Sequence, residues 1–239
     1  MRTPLMHIPD GFINVPTALV FLALAVLIAG VALRGTRSAL DDKTAPLAGL
    51  AAVFIFAVQM LNFPVAAGTS GHLMGGALAA ILVGPSAAIL AVLVVLVVQA
   101  IVFHDGGLVA LGLNIFNISI VAVISAWLVY SVVTKVLPKT RLGVLTGTAL
   151  ASFISVPLSA MMFVVQYGIG GTTSLDLGAV TAAMLSVHLL IGLGEAAITV
   201  MTVGAVLSVR PDLVYGARRV LKKTELIVQS NEPANPSKA

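Results

Sequence analysis

The chain has 239 residues, of which 59% are hydrophobic and only 9% charged. Soluble domains carry about 25% charged residues and disordered chains combine low hydrophobicity with high charge, so a mean hydropathy of +1.11 excludes both classes and leaves an integral membrane protein. The absence of cysteine excludes a disulfide framework, thiolate metal sites and a cysteine nucleophile.

The opening segment is a poor signal peptide, because its charged region is a single Arg and Pro9 and Asp10 interrupt any early apolar run. Seven spans are then predicted, at Val15–Leu33, Ala45–Phe63, His72–Gly84, Ser86–Phe103, Leu108–Thr134, Leu142–Ile169 and Gly178–Val209. Pro85 divides the third from the fourth. One helix from 73 to 103 would run about 46 Å, far more than a core of about 30 Å requires, so two shorter helices are expected to meet at Gly84-Pro85.

The fold class that follows is an all-α membrane protein of seven transmembrane helices. Residues 1–211 form the membrane domain and residues 212–239 a basic tail, partly disordered toward its end, with Tyr215–Lys223 expected on the anionic leaflet. Seven spans collect Arg34, Arg37, Lys43, Lys135, Lys139, Arg141, Arg210, Arg218, Arg219, Lys222, Lys223 and Lys238 on one side and leave only Arg2 on the other. The positive-inside rule predicts a cytoplasmic C-terminus and an outer N-terminus. The net charge of +4 is therefore a matter of topology, and no nucleic-acid partner is expected.

This topology gathers His7, Asp10, His72, His104, Asp105 and Asp176 at the outer face. Neutral imidazole is the commonest metal ligand, although interfacial histidines also simply bond water or backbone. If the chain started at Met6, His7 would be its second residue. An α-amine, the next amide and that residue's imidazole can form fused chelate rings, and His72 would supply a fourth nitrogen. Such a set suits Ni(II) or Cu(II), and its protons make binding weaker in acid. Gly71, Gly75 and Gly76 permit close backbone approach or plain helix packing.

Asp105-Gly106-Gly107 reads as an outer turn, with His104 and Asp105 as alternative ligands. Asn114 and Asn117, three apart on one helix face, are placed either to orient a ligand loop or to bond between helices. His188 and Glu195 share one face of the last span about 10.5 Å apart. An intramembrane carboxylate is functional by default; for Glu195 a structural, hydrogen-bonded role is favoured over coupling. Two other classes compete. An intramembrane enzyme would pair Ser155 or Ser159 with His188, but no nucleophile-elbow pattern supports it and small hydroxyls in spans usually bond backbone. A self-sufficient transporter would put Glu195 on an ion path.

Four ordered motifs between Met6 and about Pro211 carry a resemblance: Met6-His-Ile-Pro-Asp-Gly-Phe, Ser70-Gly-His-Leu-Met-Gly-Gly, Gln99 through Asn117, and His188-x-x-Ile-Gly-x-Gly-Glu-Ala. Together they resemble the cobalt/nickel substrate-binding membrane subunits of energy-coupling factor transporters. The resemblance implies an extra N-terminal helix before a six-helix core in a bacterial or archaeal cell membrane. It implies Co(II) or Ni(II) as transported substrate and no cofactor, with the Met6 amine, the His7 amide and imidazole and His72 as ligands. It also implies a transmembrane coupling subunit, two cytoplasmic ATPase subunits and a small accessory membrane subunit, so that this chain is not itself an enzyme. Ala25/Ala29 and Ala48/Ala52 match the small-residue faces that meet the coupling subunit. Cobalt is expected as the substrate, with nickel as the alternative. The family motif opens the protein, whereas Met-Arg-Thr-Pro-Leu precedes it here, and a start at Met6 is expected.

Overall fold

The structure, a computed structural model, describes residues 7–37, 44–60, 62–64 and 70–222. Among the described residues seven helices longer than one turn follow one another: α1 (Val15–Arg37), α2 (Thr44–Gln59), α3 (Gly76–Val83), α4 (Pro85–Val102), α5 (Leu111–Val136), α6 (Arg141–Gly170) and α7 (Leu177–Val209). Between α2 and α3 a short antiparallel hairpin pairs β1 (Asn62–Pro64) with β2 (Ser70–His72). It is a small exception to the all-α expectation.

Five of the helices, α1, α4, α5, α6 and α7, are long and apolar enough to cross a membrane. The predicted third span is not a crossing helix. Only Gly76–Val83 is helical there, about 12 Å at 1.5 Å per residue. All eight residues of α3 are buried, so its apolar composition reflects contact with the other helices rather than with lipid. Irregular backbone is tolerated at membrane depth only where protein covers it, and the Gly71–Gly75 stretch above α3 is buried throughout. The second span also ends earlier than predicted, at Gln59, because the hairpin begins at Asn62.

The boundaries follow from local chemistry. Gly84 (φ 86°) breaks the chain between α3 and α4, and Pro85 starts α4 at a position where a missing N–H does no harm. Thr140 caps α6 by accepting from Gly143 N–H, and Asp176 caps α7 by accepting from Ala179 N–H. Hydroxyls within the helices bond the carbonyl one turn back, as at Thr134, Thr148, Ser152 and Thr202. α5 contains a π-helical stretch, Ile115–Val121, in which Ala122 N–H reaches back to Asn117 O.

The core centres on α3, with Ile55 of α2, Val123 and Ala126 of α5, Val144 and Ala151 of α6, and Val203 and Leu207 of α7 in the same buried cluster. After α7 the chain folds back beneath α3. Tyr215 N–H and Gly216 N–H donate to Leu82 O and Ile81 O and satisfy the open end of that helix. Val214 and Ala217 are fully buried, and Arg219 lies over the rings of Trp127 and Tyr215 at 5.2 and 5.4 Å. Residues 211–222 are thus packed chain; the remainder of the predicted tail lies outside the described residues.

Candidate metal centre

Residues 7–14 enter the helical body without helix, bending at a turn where Gly11 adopts φ 83°, and are fastened on two sides. On one side, Asp10 accepts from Leu108 N–H and Ala110 N–H at 3.1 and 2.9 Å, and Gly107 N–H donates to Ile8 O. Asn114 accepts from Ile8 N–H at 3.0 Å and returns a bond to Ile8 O at 3.2 Å. On the other side, Asn14 N–H donates to Gly170 O and Thr172 N–H to Phe12 O. A Cβ on Gly106 (φ 86°) would lie 2.8 Å from the His7 Cβ, so this turn requires glycine twice over.

The result is a meeting of two imidazoles. His7 and His72 are both buried, with ring centroids 4.8 Å apart and planes at 87°. His7 Nδ1 and His72 Nε2 are 3.2 Å apart. Each ring's other nitrogen is already engaged. His72 Nδ1 lies 2.8 Å from Leu73 O, a pure acceptor, so its proton sits there and Nε2 is bare. His7 Nε2 lies 2.9 Å from Gln99 Oε1; a proton on Nε2 donates to that oxygen and leaves Nδ1 bare, whereas a proton on Nδ1 makes the 3.2 Å contact a hydrogen bond to His72 Nε2. Burial lowers the His7 pKa to about 4 against an opposing effect of the Gln99 bond. Burial, together with the neighbouring His7, lowers the His72 pKa to about 3. At neutral pH both rings are therefore neutral, the form of histidine that binds metal, and they face each other through His7 Nδ1 and His72 Nε2.

The remaining candidates separate. Met6 lies outside the described residues. Asp105 is buried with Oδ2 4.0 Å from His7 Nε2, whereas its neighbour His104 is exposed at φ 53° and is not part of the cluster. Asn114 bonds both backbone groups of Ile8, next to His7. Asn117 does not, because the π-helical turn directs it to α6. There it exchanges two 2.8 Å bonds with Gln166, and its carbonyl accepts from Ser159. His188 Nδ1 donates to Met184 O one turn back. The Ser–His pairing considered for an enzyme does not form, since Ser155 donates to Ser152 O and Ser159 to Asn117 O. Glu195 is tied to the turn after His72, accepting from Met74 N–H at 2.8 Å and Gly75 N–H at 2.7 Å.

The sequence reading gave no role to two residues of the site: Gln99, named only as the start of a motif, and Gln59. Gln99 is fully buried and holds His7, and Gln59, also fully buried, donates to Met74 O at 2.8 Å. Fully apolar surroundings were their only signal: an amide inside such a run needs a partner.

This arrangement has counterparts. The sequence profile of the cobalt uptake substrate-specific transmembrane region, CbiM, matches residues 7–213. A protein of Haloquadratum walsbyi provisionally named a metal transport protein is 38% identical over 88% of this chain and 94% of its own. One of Archaeoglobus fulgidus, provisionally named a fused nickel transport protein, is 37% identical over 87% of this chain and 68% of its own. The crystal structure of a truncated transition metal transporter superposes with a TM-score of 0.79 at 28% identity, covering 85% of this chain and 99% of that one. The apolar helices and these relatives together define a multi-pass membrane component of metal transport. The chain belongs to the family of the cobalt uptake substrate-specific transmembrane region.

Proposed function

We propose that this chain captures Co(II) or Ni(II) for an ATP-driven importer of the energy-coupling factor type. The ligands are the His7 amide nitrogen and Nδ1 and His72 Nε2, joined by the Met6 amine when that amine is free. The observation that carries the reading is the 3.2 Å approach of His7 Nδ1 and His72 Nε2, the nitrogens that two buried imidazoles turn toward each other. Without a metal a shared proton can join them; a cation bound by both lone pairs takes its place. Adjacent nitrogens around one ion, at bonds of about 2.05 Å and a right angle, would be about 2.9 Å apart, so only a small closure is needed. His7 Nδ1 is also the ring nitrogen nearer its own backbone amide, which permits the fused chelate.

Asp105, near the far nitrogen of His7, has the position of a carboxylate that orients a ligand imidazole. A four-nitrogen set suits Ni(II) and one of the relatives above is named for nickel, while the family is named for cobalt uptake, so both ions stay within the proposal. The basic residues at the end remote from His7 support a cytoplasmic C-terminus and an outward-facing centre. A coupling subunit, two ATPase subunits and an accessory membrane subunit complete the importer.

The test is calorimetric titration of the purified chain starting at Met6 with NiCl2 and CoCl2. One ion binds per chain, and His72→Ala abolishes binding. Undiminished affinity in His72→Ala would overturn the ligand assignment.

A further inference from the structure

The turn that carries His72 contains two consecutive peptide groups, and each is held at both ends. The first joins Leu73 to Met74. Its carbonyl accepts from His72 Nδ1 at 2.8 Å, and its N–H donates to Glu195 Oε2 at 2.8 Å. The second joins Met74 to Gly75. Its carbonyl accepts from Gln59 Nε2 at 2.8 Å, and its N–H donates to Glu195 Oε1 at 2.7 Å. One carboxylate of α7 thus holds both N–H groups, while α2 holds the second carbonyl. Leu73, Met74, Gln59 and Glu195 are each 5% exposed or less. No water shell replaces these bonds once they are broken.

A peptide unit is planar, so fixing the Met74 N–H also fixes the direction of the Leu73 carbonyl. That carbonyl in turn fixes which nitrogen of His72 is protonated and where the ring points. From these contacts we infer that Glu195 is a positioning residue of the metal centre, acting on His72 through the Leu73–Met74 peptide group. The relay runs from carboxylate to peptide N–H, from the same peptide's carbonyl to Nδ1–H, and leaves Nε2 aimed at His7. A negative charge at one end of a hydrogen-bonded chain polarises the rest. The Leu73 carbonyl becomes a stronger acceptor and Nε2 a better donor to a metal, as when a carboxylate bonds a ligand histidine directly. Glu195 also ties α7 to the ligand loop, so displacing α7 against α3 moves His72.

The inference rests on His72 being a ligand, and the test separates the two. Chains starting at Met6, carrying Glu195→Gln, Glu195→Asp and His72→Ala, are titrated with NiCl2. Affinity and the visible d–d absorption of bound Ni(II) are read together. Glu195→Gln keeps the volume and helical packing, but its NH2 faces one of the two N–H groups. It should bind about 10- to 100-fold more weakly than the parent, with a shifted d–d band. Glu195→Asp should recover part of both. A folded Glu195→Gln or Glu195→Asp chain with parental affinity and spectrum would overturn the role of Glu195. Parental Ni(II) binding in His72→Ala would instead remove the metal-centre reading itself.

Discussion

His7 and His72 each make one hydrogen bond that decides the state of the nitrogen they turn toward each other. Replacing Gln99 with Leu removes the acceptor that holds the His7 proton on Nε2, and Ni(II) affinity in a titration should fall by about 10- to 100-fold, the usual range for partners of ligand histidines. Proton linkage gives a second expectation, for the metal-free chain. Both imidazoles titrate near 6.5 when unfolded but only at about 4 and about 3 when folded. Above pH 6.5 neither state binds these protons and the stability contribution is flat. Below it the unfolded chain takes up protons that the folded chain refuses, so stability falls as pH drops from 6.5 toward 4. Thermal melts of the parent should be steeper over that interval than those of His72→Gln; parallel curves would contradict the burial of a neutral His72. The two histidines were legible in the sequence because their motifs stand out among apolar residues. Gln59 and Gln99 were not, because a lone amide within an apolar helix has no spacing to announce its partner.

Among the elements, α3 departs most from what hydropathy predicts. Hydropathy records how apolar a segment is, and a half-helix buried in protein scores like one bathed in lipid. What distinguishes α3 is the stretch before it, where Gly75 adopts φ 74° and a Cβ would come within 2.7 Å of Ile55. Gly75→Ala should therefore destabilise the chain by about 2–5 kcal/mol, combining a left-handed backbone penalty with overpacking. A lowered melting temperature, along with weakened Ni(II) binding, is the readout. The π-helical stretch of α5 was equally illegible. Spacing of three puts Asn114 and Asn117 on one α-helical face, but the wider turn gives Asn114 to Ile8 and Asn117 to Gln166. Gln166→Leu should cost about 1–2 kcal/mol through the stranded Asn117 amide while leaving metal affinity close to parental, since this pair joins α5 to α6 away from His7. A large loss of affinity would show that the pair belongs to the centre.

Across the whole molecule, the helices alternate in direction between an end that holds His7, Asp105 and Asp176 and an end that holds Arg210 and the turns beneath α3. This parity was legible from charge counting, although the number of full-length crossings was not. The α3 segment keeps the parity because the hairpin and turn above it cover the distance its helix does not. With no native cysteine to interfere, single cysteines can report the sides. Ser174→Cys, in the exposed link before α7, should react with an impermeant maleimide on intact cells, and Lys139→Cys, in the link before α6, only after permeabilisation; the opposite pattern would invert the proposed topology. The most direct test of the central claim is a native mass spectrum of the chain beginning at Met6, recorded with nickel and cobalt supplied, beside the same chain carrying His72→Ala. The account predicts one bound ion in the first and none in the second. An ion retained by the His72→Ala chain, or none held by the parent, would contradict it.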